Sequence, residues 1–217
     1  MLSAVIVAAI VLGIIGGALY GIYVLEKKRR QALERAAADL GFDFYPVPPQ
    51  ELLQPFVVFA VHNLGRDTTY ANLLHGRAAH MEVSIVDQRF VTGSGKTRRS
   101  HSQTVALVCS PALRLPSFTL GPENFLHKLM NLFGYQDIDF ADHPRFSRMY
   151  LLRGPDEASV RELFTPETLE FFEEHPGLSV EGRGDRFALY RADQRVKPEG
   201  IRNFLELGGS ILEVLKR

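Results

Sequence analysis

The sequence contains no tryptophan and a single cysteine, Cys109, among its 217 residues. A disulfide needs two cysteines, so one chain cannot build a disulfide framework, which suits a reducing compartment. The 25 basic residues are balanced by 25 acidic residues. A chain without net charge has no overall attraction to a polyanion such as a nucleic acid. We therefore expect neither a disulfide-stapled fold nor a nucleic-acid partner.

The signatures of common catalytic and cofactor sites are also missing. The sequence has no HExxH pair, no cysteine and histidine cluster at zinc-ligand spacing, and no G-x-S-x-G nucleophile turn. Serine, histidine and aspartate residues scattered along a chain do not indicate a catalytic triad, because a triad is defined by the spatial arrangement of the three side chains. From these signatures we predict no catalytic residue, no cofactor and no metal.

Charged side chains are absent from residues 1–25, where Ala4 to Leu25 forms an uninterrupted run of 22 uncharged residues. As a helix this run would reach roughly 33 Å, enough to cross a hydrocarbon core of about 30 Å. A cleaved signal peptide would start with basic residues and end at a small-x-small site, whereas this segment starts with MLS and ends in YVLEKKRR. A buried core helix would show a polar face, and this run has none. The sequence therefore predicts a transmembrane anchor over residues 1–25.

The residues that flank the predicted anchor set its orientation. Residues 26–35 carry five basic and two acidic side chains, whereas the N-terminal flank offers only the α-amino group. Because the more basic flank stays in the cytoplasm, we predict a single-pass protein of the plasma (inner) membrane, with the N-terminus outside and the C-terminal domain cytoplasmic. The basic residues of this flank are Lys27, Lys28, Arg29, Arg30 and Arg35.

Small residues recur at every fourth position of the predicted anchor, at Ala9, Gly13, Gly17 and Gly21. On a helix these residues form one stripe, where a second helix can approach closely. Glycine is also common in membrane helices without such a role. The stripe is thus compatible with a homo-oligomer, with a partner helix, or with no helix contact.

The rest of the chain is predicted to be α+β. Residues 26–50 form a juxtamembrane charged helix and the proline-rich hinge YPVPPQ, and residues 51–217 form one cytoplasmic domain. Because strands cluster early and helices come in blocks, we expect a largely antiparallel sheet, inserted helices and a C-terminal helix. β-branched and aromatic residues predict strands in TTYANLLHG, MEVSIVDQRFV, SQTVALVCS, SRMYLLRG, LSVEG and RFALYRA.

Apolar spacing and capping residues predict the helices. They cover residues 122–134, 155–164, 165–175 and the C-terminal segment, where Thr165 and Pro166 are typical of an N-cap and a first helical position. The buried face of the C-terminal helix is predicted to consist of Ile201, Phe204, Leu205, Ile211, Leu212 and Leu215.

The stretch TGSGKT, residues 92–97, has the composition of a nucleotide-binding P-loop. That loop needs G-x-x-x-x-G-K-[ST] followed by a helix, but Phe90 stands where the first glycine belongs. After Thr97 the sequence alternates as a strand does, so no helix N-terminus would face a phosphate. We instead predict a β-hairpin in which Gly93 and Gly95 allow positive φ.

The predicted hairpin is cationic. Every charged residue between positions 88 and 122 is basic: Arg89, Lys96, Arg98, Arg99 and Arg114. The first four are our candidate contact residues for anionic lipid headgroups or for an acidic protein partner. The plainer alternative is a solvated loop that the charges keep soluble.

An acidic segment supports a different class of function. DIDFADH, residues 137–143, places Asp137, Asp139, Asp142 and His143 close together, and oxygen and imidazole ligands can hold a divalent cation. The spacing does not match an EF-hand, because the glycine turn and the distal glutamate are missing. Solvated or capping carboxylates are the alternative reading of this segment.

Several phrases resemble a group of uncharacterised bacterial single-pass membrane proteins. They are TGSGK…QTVAL, LFGYQDIDF, FSRMYLLRG, VRELFT and GLSVEGRGDRFALYR, which together cover much of residues 90–191. The resemblance implies a membrane anchor and a cytoplasmic domain, and it transfers no functional residue. From the predicted anchor and the cationic hairpin we expect a non-enzymatic, membrane-anchored adaptor whose hairpin contacts a protein partner or the anionic membrane surface. The alternative is a membrane-associated enzyme with a metal-assisted site at residues 137–143.

Overall fold

The structure, a computed structural model, describes residues 2–122 and 137–216, and for residues 2–11 it describes the backbone alone. The helices of this part are α1 Leu2–Leu40, α2 Gln50–Leu53, α3 Pro144–Met149, α4 Glu157–Leu163, α5 Pro166–Glu174 and α6 Ile201–Leu215. The strands are β1 Asp43–Tyr45, β2 Arg66–Ala78, β3 Met81–Thr92, β4 Arg99–Cys109, β5 Leu115–Pro122, β6 Tyr150–Arg153, β7 Ser179–Gly184 and β8 Arg186–Tyr190.

The eight strands of the described residues form one sheet, in the order β1-β2-β3-β4-β8-β7-β5-β6. Every neighbouring pair is antiparallel. Short turns join β2 to β3 and β7 to β8, as expected for antiparallel neighbours. The prediction of an α+β fold with a large antiparallel sheet is confirmed.

The sheet buries both of its faces, because successive side chains of a strand point to opposite sides. Val83 and Ile85 of β3 belong to a core that also contains residues of α1 and α6. Val86 and Phe90 of the same strand pack on the opposite face, in a core that includes residues from the segment 56–64. This two-sided burial explains why both alternating positions of the central strands are apolar.

The C-terminal half of α1 is part of the first core, since Leu33 and Ala37 are fully buried there. Charged residues cover the remaining sides of this part of the helix. The boundaries predicted at residues 25 and 50 stay a prediction, but the contacts of Leu33 and Ala37 join the predicted juxtamembrane helix to the sheet.

Local capping signals agree with the structure. The Thr165 hydroxyl accepts a hydrogen bond from the backbone N–H of Thr168, and Pro166 is the first residue of α5. The six residues predicted for the inner face of the C-terminal helix are all buried.

The prediction for SRMYLLRG was wrong in its first half, because Ser147 to Met149 end helix α3 and only Tyr150–Arg153 is a strand. Pro144 begins this helix and the buried Phe146 ties it to the core.

The helix predicted over residues 122–134 lies outside the described residues, apart from Pro122, which ends β5. In the part of the chain whose side chains are described, no helix is long and apolar enough to cross a membrane. The predicted anchor falls partly on residues 1–11, whose side chains are outside that part.

Candidate functional site

The basic segment is a β-hairpin, as predicted. β3 and β4 pair up to its tip, with Val91 opposite Ser100 and Thr92 opposite Arg99. A 3₁₀ turn, Gly95–Thr97, closes the tip. Gly93 has φ +68°, and a Cβ there would lie 2.3 Å from the Thr97 carbonyl oxygen, so only glycine fits. A strand rather than a helix follows Thr97, so the turn lacks the helix N-terminus that a phosphate-binding loop uses.

Three of the four candidate contact residues lie together at this tip. Lys96, Arg98 and Arg99 are exposed and form no ion pair with any residue in the described ranges. Arg89 lies further down β3, and its guanidinium donates to Glu26 of α1 at 2.6 Å. The structure therefore separates a free cationic tip from an arginine that is already engaged by the helix.

Glu26 joins α1 to two parts of the domain. Its carboxylate accepts hydrogen bonds from Arg89 of β3 and from Arg195, which approaches to 2.8 Å. Burial raises the pKa of Glu26, but the hydrogen bond and charge of Arg195 and the charge of Arg89 outweigh it, so the pKa lies below its usual value. Glu26 is thus held as a carboxylate between two guanidinium groups.

A second, buried ion pair lies one helical turn further along α1. The Arg29 guanidinium donates to both oxygens of Asp87, at 2.7 and 2.8 Å, and a third bond reaches the Val196 carbonyl at 2.8 Å. Asn72 and Thr104 also donate to Asp87, at 3.1 and 2.9 Å. In the sequence, this pair is marked only by an aspartate within an apolar strand. No sequence pattern identifies Arg29 as its partner.

The two ion pairs fix the direction of α1 relative to β3. From Arg29 to Glu26 the helix runs towards its N-terminus, by about 4.5 Å. From Asp87 to Arg89 the strand runs towards the hairpin tip, by about 7 Å. Helix and strand are therefore antiparallel, and the tip and the helix residues before Glu26 lie on the same side of these contacts.

The helix residues before Glu26 expose apolar side chains in every direction. Their exposed fractions range from 50% to 69% for Leu12, Ile14, Ile15, Leu19, Tyr20, Ile22, Tyr23 and Leu25. Apart from the adjoining backbone of α1 itself, no described atom lies within 4 Å of a Cβ built on Gly13, Gly17 or Gly21. The fourth residue of the predicted stripe, Ala9, has its side chain outside the described residues.

On the opposite face of the sheet, the buried residue Glu181 of β7 holds the segment 54–64 in place. Its carboxylate accepts hydrogen bonds from the N–H groups of Ala60 and Val61, at 2.5 and 2.9 Å, and from the Tyr190 hydroxyl at 2.9 Å. Burial raises the pKa of Glu181 to about 7, although these three donors lower it. No local sequence pattern marks Glu181 as important, because its two backbone donors lie about 120 positions away.

A cavity of about 200 Å³ lies at the end of the sheet opposite to the hairpin tip. Cys109 lines it together with Leu52, Pro55, His75, Glu82, Ser84, Leu107, Asp185 and Arg186. Burial raises the pKa of the Cys109 thiol to about 11, so the thiolate that nucleophilic catalysis requires is not formed near neutral pH. The His75 ring and the Ser84 hydroxyl are hydrogen-bonded at 2.9 Å, but no feature of the cavity assigns a ligand.

The acidic segment 137–143 is not arranged as a metal site. Asp137 accepts hydrogen bonds from the N–H groups of Ile138 and Leu152, at 3.1 and 3.0 Å, so it caps the backbone. Asp139 and Asp142 are exposed, and His143 precedes α3. No group of three or more histidine, cysteine, aspartate or glutamate side chains is placed to hold a metal within residues 12–122 and 137–216. The metal-assisted alternative thus lacks geometric support in this segment.

The fold is similar to that of a solved protein. The crystal structure of the mycobacterial trehalose monomycolate transport factor A, TtfA, matches with a TM-score of 0.55 and 15% sequence identity, over 86% of this chain and 95% of that chain. At this identity the similarity shows the fold alone. No protein-family model matches the sequence. No curated protein matches it either.

Proposed function

We propose that this protein is a non-enzymatic adaptor, anchored in the inner membrane by residues 1–25, whose cytoplasmic domain rests its basic hairpin on anionic lipid headgroups. The observation that carries the proposal is the antiparallel course of α1 and β3 at their two ion pairs. It puts the cationic tip on the same side of the domain as the exposed apolar part of the helix. A bilayer that contains that helix therefore lies next to the tip.

The helix also supports a position of the domain close to the membrane. α1 runs without a break from Leu2 to Leu40, and its second half is held by the buried Arg29–Asp87 pair and by the core contacts of Leu33. Thr92 lies three strand residues beyond Arg89, or about 10 Å. A continuous helix of this kind keeps the hairpin near the membrane surface, where the charge of the tip decides whether it docks.

The electrostatic attraction between the basic tip and anionic headgroups is also large enough to hold the contact. Each basic residue near an anionic membrane surface contributes about 1 kcal/mol. Lys96, Arg98 and Arg99 together give about 3 kcal/mol, which corresponds to roughly 100-fold in the docking equilibrium. The interaction is screened by salt over about 8 Å at physiological ionic strength, so it requires the close approach that α1 provides.

Two further parts of the proposal concern partners. The stripe Gly13, Gly17 and Gly21 is open on the helix and supports a homo-oligomer, or one partner helix, within the bilayer. The similar structure, TtfA, carries the name of a transport factor. That name agrees with an accessory role, and we infer only such a role for this chain.

The first test removes the charge from the tip. In the variant Lys96→Gln/Arg98→Gln/Arg99→Gln we expect the hairpin to leave the membrane. The measurement is amide hydrogen exchange of residues 92–100 in the full-length protein, embedded in nanodiscs of phosphatidylcholine or of phosphatidylglycerol. The wild type should exchange up to about 100-fold more slowly in the anionic discs, and the variant should exchange equally in both.

The matched control is Arg77→Gln/Arg148→Gln/Arg183→Gln, which changes the net charge by the same amount at three exposed positions away from the tip. This control should keep the slow exchange, and 0.5 M salt should abolish it in the wild type. Equal exchange of the wild type in both kinds of disc would contradict the lipid contact. If exchange then slowed only in native membranes, the hairpin would belong to a protein partner instead.

A further inference from the structure

The hairpin tip carries three exposed hydroxyl groups among its cations, and the structure distinguishes them. The Thr97 hydroxyl donates to the Ser94 carbonyl at 2.9 Å and accepts from the Ser94 N–H at 3.2 Å. The Ser94 side chain accepts from the backbone of Thr97 in return, which completes a capping box. Ser100 is exposed and makes no hydrogen bond through its hydroxyl to any residue in the described ranges. Of the three, Ser100 alone can be modified without breaking the turn.

The backbone around Ser100 is extended and accessible. β8 pairs only with Val105–Cys109 of β4, so among the described strands none covers the outer edge of β4 at Ser100. Arg98 and Arg99 directly precede Ser100 and are exposed. An extended, exposed serine that follows basic residues has the charge pattern selected by those protein kinases that prefer basic residues before the serine.

We propose that Ser100 is a phosphorylation site for a serine/threonine protein kinase and that its phosphorylation releases the hairpin from the membrane. This inference rests on the proposed function and adds its regulation. In the reaction, the Ser100 Oγ forms a bond to the γ-phosphorus of ATP while the bond to the β–γ bridging oxygen breaks. The hydroxyl proton passes to the base of the kinase, and ADP leaves.

The size of the effect follows from the charges. A phosphoserine carries a charge of about −1.5 to −2 at pH 7. The three cations of the tip would then be offset by up to two negative charges, and Arg98, two residues before Ser100 along extended backbone, would be drawn to the phosphate. Cancelling two basic contacts weakens docking by about 30-fold. A docked tip hides Ser100, so kinase and membrane compete for it.

The test places phosphoserine at position 100 of the full-length protein during translation and repeats the hydrogen-exchange measurement in anionic nanodiscs. We expect residues 92–100 to exchange about 30-fold faster than in the unmodified protein. Ser100→Ala should leave the slow exchange unchanged, because the hydroxyl itself takes no part in docking. Phosphoserine at position 210, on the exposed side of α6, adds the same charge elsewhere and should have no effect.

The second arm is mass spectrometry of the protein from its native membranes, where we expect phosphate on Ser100 and not on Ser94 or Thr97. Slow exchange that persists with phosphoserine at position 100 would overturn the switch and leave the lipid contact standing. The absence of phosphate from Ser100 in every growth phase would overturn the modification. Fast exchange of the unmodified wild type in anionic discs would remove the proposed function, and the switch with it.

Discussion

Replacing Asp87 by alanine should lower the free energy of unfolding by about 3–5 kcal/mol, because it leaves the buried Arg29 guanidinium without its charge partner. The side chains of Arg29 and Asp87 are only 11% and 6% exposed, so water cannot take the place of the lost carboxylate. Asn72 and Thr104 lose a hydrogen-bond acceptor in the same variant. The measurement is urea unfolding of the full-length protein in detergent, followed by near-ultraviolet circular dichroism.

Two comparisons identify the ion pair as the cause. Asp142→Ala removes an exposed aspartate and should change the free energy of unfolding by less than about 0.5 kcal/mol. The double variant Arg29→Ala/Asp87→Ala should be less destabilised than the sum of its single variants, since it buries no unpaired charge. A loss below about 1 kcal/mol in Asp87→Ala would show that α1 is not fixed to the sheet by this pair.

The second large effect is a dependence of stability on pH that comes from Glu181. Its pKa is raised from 4.5 to about 7 in the folded protein. A group with a raised pKa contributes stability that is fully present below its ordinary pKa and is lost as the pH rises through the folded value. The wild type should therefore lose about 3 kcal/mol relative to Glu181→Gln between pH 4.5 and pH 7.5.

Glutamine at position 181 keeps the size of the side chain and cannot ionise. The contribution of Glu181 to the pH dependence of the unfolding free energy should therefore be missing in that variant. Glu157→Gln, at an exposed position on α4, is the control and should keep the slope of the wild type. The measurement is urea unfolding at several pH values. At each pH, the free energy of unfolding of the variant is subtracted from that of the wild type. Parallel curves for Glu181→Gln and the wild type would show that the three donors keep the carboxylate ionised throughout this range.

The basic hairpin could be predicted because its determinants are neighbours in the sequence. Gly93 and Gly95 provide the positive φ angles, and the flanking residues alternate with the period of a strand. The same is true of the Thr165 cap on α5. Arg89 was predicted as a contact residue from its charge alone, and charge does not reveal that Glu26, 63 positions away, accepts its hydrogen bond.

Residues 147–149 were predicted as strand because they precede the aromatic Tyr150 in the stretch SRMYLLRG. The structure makes them the end of a helix that starts at Pro144 and buries Phe146. Propensity is a weak signal over three residues, and packing of one aromatic ring outweighs it. The membrane anchor and its orientation stay predictions from composition.

By itself the sequence determined the hairpin turns, the caps and the cationic tip, because each depends on residues within a few positions of one another. The order of the strands does not, since Val105 of β4 pairs with Tyr190 of β8 and Leu120 of β5 with Val180 of β7. Only the tertiary structure decided which charges remain free. Arg29 with Asp87 and Glu181 with Ala60 and Val61 are separated by 58 to 121 positions. Burial in a shared core brings such groups together and removes water from between them, and no local pattern encodes that pairing.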